Sequence, residues 1–456
     1  MTAAKLTQGP VSVGILTLTL PMVLGIFANL GAALFETWLL GKVSTNALAA
    51  YSFTFSVTGA LGSLSLGISI GLSSVLARTV GSGNHNLVRR LATDGIFLLA
   101  LVMTVTSVIG YFTIEPLFIL LGADADTLPL IVSYMQIWYF ALVFYALPAL
   151  GASALRAMGD ARISGTIMVG GAILQAILDP ILIFGLFGVP AMGLEGAAWA
   201  MLISRLVLCT LTYYVLINRE HLIDFSRTSI ANVLASWRSI LVVGMPATAT
   251  QLIGPVSTAI IVSLLAGYGK EAVAGFGIAS RVEALSVIPL FALSASIGPF
   301  VGQNWGAQRF DRANEGMMTA FLWSMIWGFG VAVLFFLFGS HIGGLFEDNP
   351  AVIDYASLYL AIVPFSYGTW GVLMMASATF NSLGKPISST IMSVVRMLVL
   401  YVPLAYLGSQ WYGVLGIFAA TCATNIIMGV LGFSWNRYTY AYTAANPGGT
   451  QKSSSA

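Results

Sequence analysis

The sequence predicts an all-α membrane protein of about twelve transmembrane helices, arranged as two pseudo-symmetric six-helix lobes. Three observations predict it. The chain of 456 residues is 58% hydrophobic and 8% charged, against about 25% charged residues in a soluble domain. Apolar runs long enough to cross about 30 Å of hydrocarbon recur along it, separated by short polar gaps. Finally, the first half of the chain repeats in the second.

Each run is too long for a barrel strand, and in lipid every backbone amide must be satisfied internally, so the runs are read as helices. The spans are 11–40, 47–77, 91–114, 127–156, 162–187 and 192–217 in the first half. In the second they are 238–266, 272–302, 313–340, 350–381, 386–408 and 412–436. This gives an N-terminal lobe over 1–217, a cytoplasmic linker over 218–237, a C-terminal lobe over 238–436 and a disordered cytoplasmic tail over 437–456. The first run is much longer than a secretory h-region and is read as a retained span.

Orientation follows from charge. Fourteen of the 19 Lys and Arg fall in loops and tails on one side, two (Lys42 and Lys270) on the other, and three (Arg205, Arg281 and Arg396) inside spans. The positive-inside rule then makes both termini cytoplasmic, in a multi-pass protein of a bacterial-type inner (plasma) membrane.

The repeat has a constant offset. Adding 225 to a position carries Pro21 to Pro246, Ala47 to Ala272, Gly81 to Gly306 and Gly159 to Gly384, and aligns LLGKVSTNALAAYS with LLAGYGKEAVAGFG. Six spans per half is an even number, so the halves share one orientation, with an axis along the membrane normal and a substrate path expected between them.

Several function classes drop out. A net charge of +2 with no basic stripe argues against nucleic acid as a partner. His85, His221 and His341 are far apart, which gives no metal set and no nucleophile dyad. No phosphate-binding GxxxxGK[ST] motif occurs, so the chain is not expected to be an enzyme or to hydrolyse ATP, and no cofactor is expected beyond a coupling ion. Cys209 and Cys422 lie in apolar runs and read as packing residues. The expected partners are small molecules and the bilayer, with the chain as a monomer.

Three carboxylates, Glu36, Asp179 and Glu283, sit inside spans, where a charge costs about 2.5–3.5 kcal/mol on insertion scales. Glu36 lies four residues, and Asp179 eight, before the predicted outer ends of their spans, roughly 6 and 12 Å at helical rise. The two are expected to share one level of the first lobe, where neighbouring acids suit proton exchange. Gln175 precedes Asp179 by one turn on the same face. The alternatives are that Glu36 snorkels to the outer surface and that Asp179 caps a kink before Pro180. Glu283, with Arg281 nearby, and Arg396 both fall near mid-membrane and are expected to form an intramembrane ion pair. Pro21 and Pro246 each remove a helical hydrogen bond and are expected to bend their spans. Tyr134, Tyr139, Met201 and Asn29 are the candidate substrate-cavity residues.

The motifs LTLPMVLG, GKVSTNALAAYS, LARTVGSG, ALRAMGDAR, LDPILIFG and GVLGIFAAT, in this order, closely resemble the multidrug and toxic compound extrusion (MATE) family. In the second half GKEAVAGFGIASRVEAL followed by PFVGQNWGA looks most like its DinF-like branch. The resemblance covers about residues 10–435. It implies an exporter that opens alternately to each side and exchanges an external cation for a drug-like molecule. It also implies a cation site built from an Asp in span 1, an Asn and an Asp one turn apart in span 5, and a Thr in span 6, with a tyrosine of span 4, here Tyr134, beside it. This sequence departs at three of those positions, with Glu36 for Asp, Gln175 for Asn and Met201 for Thr. Fewer short oxygen ligands favour H⁺ over Na⁺ as the coupling ion. An acid found in span 7 of the NorM branch is replaced by Gly254. A flippase or exporter of a lipid-linked or amphipathic metabolite in the same superfamily, and a channel, are the rival readings; a flippase calls for a strongly basic cavity, a channel for a ring of charges.

Overall fold

The computed structural model describes residues 4–224 and 229–445, the last four by backbone alone. No strand occurs among them.

The first half gives α1 (Val11–Val43), α2 (Thr45–Gly81), α3 (His85–Phe112), a short α4 (Ile114–Leu120), α5 (Leu128–Ala157), α6 (Ala161–Phe184) and α7 (Gly193–Tyr214), the last extended by a π-helical turn over Val215–Arg219. Polar side chains set several starts by accepting from free amide groups of the first turn: Ser44 from Ala47, Asn84 from Leu87 and Asp160 from Ile163. The second half gives α8 (Ile230–Ala266), α9 (Lys270–Ser286), α10 (Ile288–Gly306), α11 (Phe310–Gly344), α12 (Pro350–Ile362), α13 (Tyr367–Ser382), α14 (Pro386–Val394) and α15 (Val402–Ala445). A second π-helical segment, Val395–Tyr401, joins α14 to α15.

Among the described residues ten helical runs are long and apolar enough to cross a bilayer, and the pair α9 and α10, bent by 43°, supplies an eleventh crossing. The twelfth lies within the run Pro386–Ala441, counted once among the ten. Its 56 residues would extend about 84 Å at helical rise, far more than one bilayer needs. Gly413, at φ 61 and ψ −139, turns the chain back on itself in a conformation open essentially to glycine alone. The backbones of Gly408 and Gly416 then meet so closely that neither has room for a Cβ. About twelve spans is therefore what the structure contains.

The chain divides into two compact units. One is built on Leu20–Thr248, and the other on Leu6–Thr19 with the described residues from Ala249 onward. The expected boundary in the linker is thus displaced: the division falls inside α1 and α8, close to Pro21 and Pro246. Both helices run unbroken through these prolines. The N-terminal stretch is fastened to the second unit, where Gln303 Oε1 accepts from the Leu6 amide at 3.1 Å and Arg309 donates to the Thr7 carbonyl at 2.8 Å. The predicted linker is shorter than expected because α8 begins at Ile230, and the predicted tail is helical as far as Ala445. Residues 225–228 of the linker and 446–456 of the tail lie outside the described residues.

Within the first unit α5 packs against α2, α3, α6 and α7; within the second α13 packs against α10, α11 and α15. These central helices come from equivalent spans of the repeat, and each carries buried aromatics, Tyr134, Trp138 and Tyr139 on α5 and Tyr367 and Phe380 on α13. Large apolar side chains such as Phe112 and Leu120 remain exposed, as suits a surface solvated by lipid.

Candidate functional site

Glu36 on α1 and Gln175 and Asp179 on α6 are buried at 4%, 8% and 0% exposure. Gln175 donates from Nε2 to Oε2 of Glu36 at 3.1 Å, and the Tyr51 hydroxyl of α2 also hydrogen-bonds Glu36. Glu36 therefore does not snorkel. Asp179 lies within electrostatic reach of Glu36, yet both of its oxygens are buried without a hydrogen-bond partner. It caps nothing, although α6 continues through Pro180. A carboxylate in this position is tolerable only with a proton or a cation on it, because an unpaired buried charge costs several kcal/mol.

The surroundings are aromatic. Tyr134 of α5 packs edge-on to Tyr51, with ring centroids 5.9 Å apart, which puts it next to the residue that holds Glu36. Arg205 of α7 lies over the Tyr145 ring at 5.2 Å and within electrostatic reach of Glu36. Met201 is buried one turn before Arg205. Two other cavity candidates are otherwise engaged. Tyr139 faces α3, its ring filling the space where Gly110 has no side chain, and Asn29 donates to the Gly25 carbonyl of its own helix at 2.8 Å. Pro21 is held from α6: a Cβ built on Gly165 would stand 2.6 Å from the Pro21 carbonyl oxygen.

The second unit corrects one expectation. Glu283 forms no ion pair among the described residues. Its Oε2 accepts from the Tyr359 hydroxyl and, at 2.9 Å, from the Tyr367 hydroxyl. Arg281 is exposed, two positions away on α9. Arg396, in the π-helical segment, donates from Nε and Nη2 to Asn425 Oδ1 at 3.2 and 2.9 Å, and Asn425 in turn donates to Ser366 at 3.0 Å. The guanidinium lies 5.6 Å from the centroid of the Trp370 ring. The two charges lie within electrostatic reach of each other but make no direct contact among the described residues, because tyrosine hydroxyls and an asparagine amide stand closer to each.

Span position showed the acids but not Tyr51, Tyr359, Tyr367 or Asn425, since tyrosines and amides in spans are common. The repeat offset was the available signal. It carries Tyr51 to Phe276, Tyr134 to Tyr359 and Tyr145 to Trp370. The structure pairs Phe276 with Tyr359 at 5.6 Å as it pairs Tyr51 with Tyr134.

The comparisons with known proteins agree with this repeat. The MatE family pattern matches twice, over residues 21–181 and 246–407. An FAD transporter of Shewanella oneidensis is 35% identical over 425 residues, covering 93% of this chain and 94% of that protein. A probable multidrug resistance protein of Bacillus subtilis, YoeA, is 25% identical over 408 residues, covering 87% of this chain and 88% of that protein. Among solved structures, the Vibrio cholerae MATE transporter VcmN in its bent form superposes with a TM-score of 0.90 at 25% identity, over 95% of this chain and 97% of that one. The doubled pattern, the twelve spans and the shared fold have one meaning: the chain belongs to the MATE family of membrane transporters.

Proposed function

We propose that this transporter is a proton-coupled exporter of drug-like organic cations, in which Glu36 and Asp179 exchange an external H⁺ for a cytoplasmic substrate by alternating access. The observation that carries the reading is the asymmetry of the two acids. Glu36 is anchored by Gln175 and Tyr51, whereas Asp179 is buried with no donor at all. A proton on Asp179 removes the cost of its burial, and a cationic substrate nearby replaces that proton as the compensating charge. Na⁺ is the less favoured ion, because Gln175 and Met201 stand where the family resemblance puts short oxygen ligands. The distribution of Lys and Arg supports an inner-membrane protein with both termini cytoplasmic.

A second substrate reading has its own support. The relative at 35% identity is named an FAD transporter, which favours an amphipathic, anionic metabolite such as a flavin nucleotide.

Both readings are tested in everted vesicles containing the full chain, with a fluorescent organic cation or FAD as solute and either a pH or a Na⁺ gradient imposed. Uptake of the cation driven by ΔpH in Na⁺-free buffer supports the proposal. Strict Na⁺ dependence overturns the choice of ion, and movement of FAD alone overturns the choice of substrate.

A further inference from the structure

Glu283 and Arg396 are opposite charges within electrostatic reach of each other, yet each directs its hydrogen bonds to neutral side chains. Glu283 uses one oxygen for both tyrosine hydroxyls, so Oε1 has no partner among the described residues. Arg396 uses Nε and Nη2 for Asn425, which leaves Nη1 without one. Both side chains are half-buried. Tyrosine, asparagine and serine groups fix their orientation in advance, which lowers the ordering cost of binding a ligand. Beside them, Trp370 is half-buried and flanked by Tyr367 and Phe291, at centroid distances of 6.3 and 6.1 Å. The backbone that carries Arg396 is π-helical, a departure that widens the helix and recurs at functional sites.

We propose that this cluster is a recognition site for a planar aromatic solute bearing a phosphate. The free edge of the Arg396 guanidinium takes the phosphate, Trp370 and its neighbours pack against the ring, and Oε1 of Glu283 accepts from a ring N–H. A guanidinium is suited to phosphate through its planar fork of donors. The inference rests on the second substrate reading, and it concerns recognition in the second unit rather than coupling in the first.

The test is a fluorescence titration of the purified full chain with riboflavin and with FMN, which share one ring system and differ by a single phosphate. The wild-type protein is expected to bind FMN at least about tenfold more tightly than riboflavin, as a charge-assisted contact supplies. Arg396→Gln is expected to bring the ratio of the FMN and riboflavin affinities to within about twofold of one. Equal affinity for the two ligands in the wild type, or an FMN preference that survives Arg396→Gln, overturns the site. Should the variant not fold, the wild type is treated with an arginine-modifying dione with and without FMN. Protection of Arg396 by FMN supports the site, and its modification at saturating FMN overturns it. Vesicle transport of FAD and of an organic cation is measured on the same preparation. A failure of proton coupling or of FAD export then shows in transport, and a failure of the site shows in the FMN to riboflavin ratio.

Discussion

Gln175 reaches from α6 to α1 to donate a hydrogen bond to Glu36 at 3.1 Å, and one helical turn further along the same face Asp179 has no donor for either oxygen. The first acid has a donor from α6, and the second has none. Both acids are open to test by neutral substitutions.

Glu36→Gln and Asp179→Asn each preserve volume while removing a titrating group. Each variant is expected to insert and to lose gradient-driven efflux by about tenfold or more, the scale of a lost proton-transfer group. Glu36→Asp keeps the carboxylate but draws it back from Gln175, so transport persists with an altered pH optimum. Wild-type efflux in both neutral variants, measured in vesicles, would place coupling elsewhere.

Gln175→Leu removes a donor from Glu36 without changing charge. Unfolding assays are expected to show a loss of about 1–3 kcal/mol, the cost of leaving a buried acceptor short of a partner. Efflux slows but remains coupled to ΔpH. Abolished transport in a well-folded Gln175→Leu protein would instead identify Gln175 as a ligand of a metal cation.

Glu283 receives two hydroxyl donors on one oxygen. Glu283→Gln keeps one carbonyl acceptor and is expected to be mildly destabilised, while Glu283→Leu strands both hydroxyls at about 1–3 kcal/mol each. Thermal stability therefore falls in the order wild type, Gln, Leu, and efflux of organic cations continues in the Gln variant. A stable Glu283→Gln protein that no longer exports them would move the coupling site to the second unit.

Gly165 permits α6 to approach Pro21, and an added Cβ would lie 2.6 Å from both the Pro21 Cβ and its carbonyl oxygen. Gly165→Ala is expected to cost about 1–3 kcal/mol by overpacking. Gly170→Ala on the same helix, where a Cβ meets nothing within 4 Å, is the neutral or stabilising control. Equal stability of the two variants would show that the contact with Pro21 yields freely.

The membrane orientation is open to direct labelling. Single cysteines at Lys42, Asp124 and Asp348 are expected to react with an impermeant thiol reagent applied to intact cells, and cysteines at His85 and Lys385 are not. The inverse pattern would refute the charge-based topology.

The sequence by itself determined the twelve spans, the doubled lobe and the candidate acids, because hydropathy and a constant offset are linear properties and a carboxylate in an apolar run stands out wherever it folds. It also placed Glu36 and Asp179 near one level, because helical rise converts position in a span into depth. The tertiary structure decided the partners. Whether Glu283 meets Arg396 or two tyrosines depends on how α9, α12, α13 and α15 rotate about their axes, and depth along a span says nothing of rotation. The same holds for Tyr139, which turns to α3, and for Asp179, whose isolation is a property of the helices around it. The division inside α1 and α8 was marked in the sequence only by the paired Pro21 and Pro246, since a continuous apolar helix otherwise reads the same whichever unit each of its ends packs against.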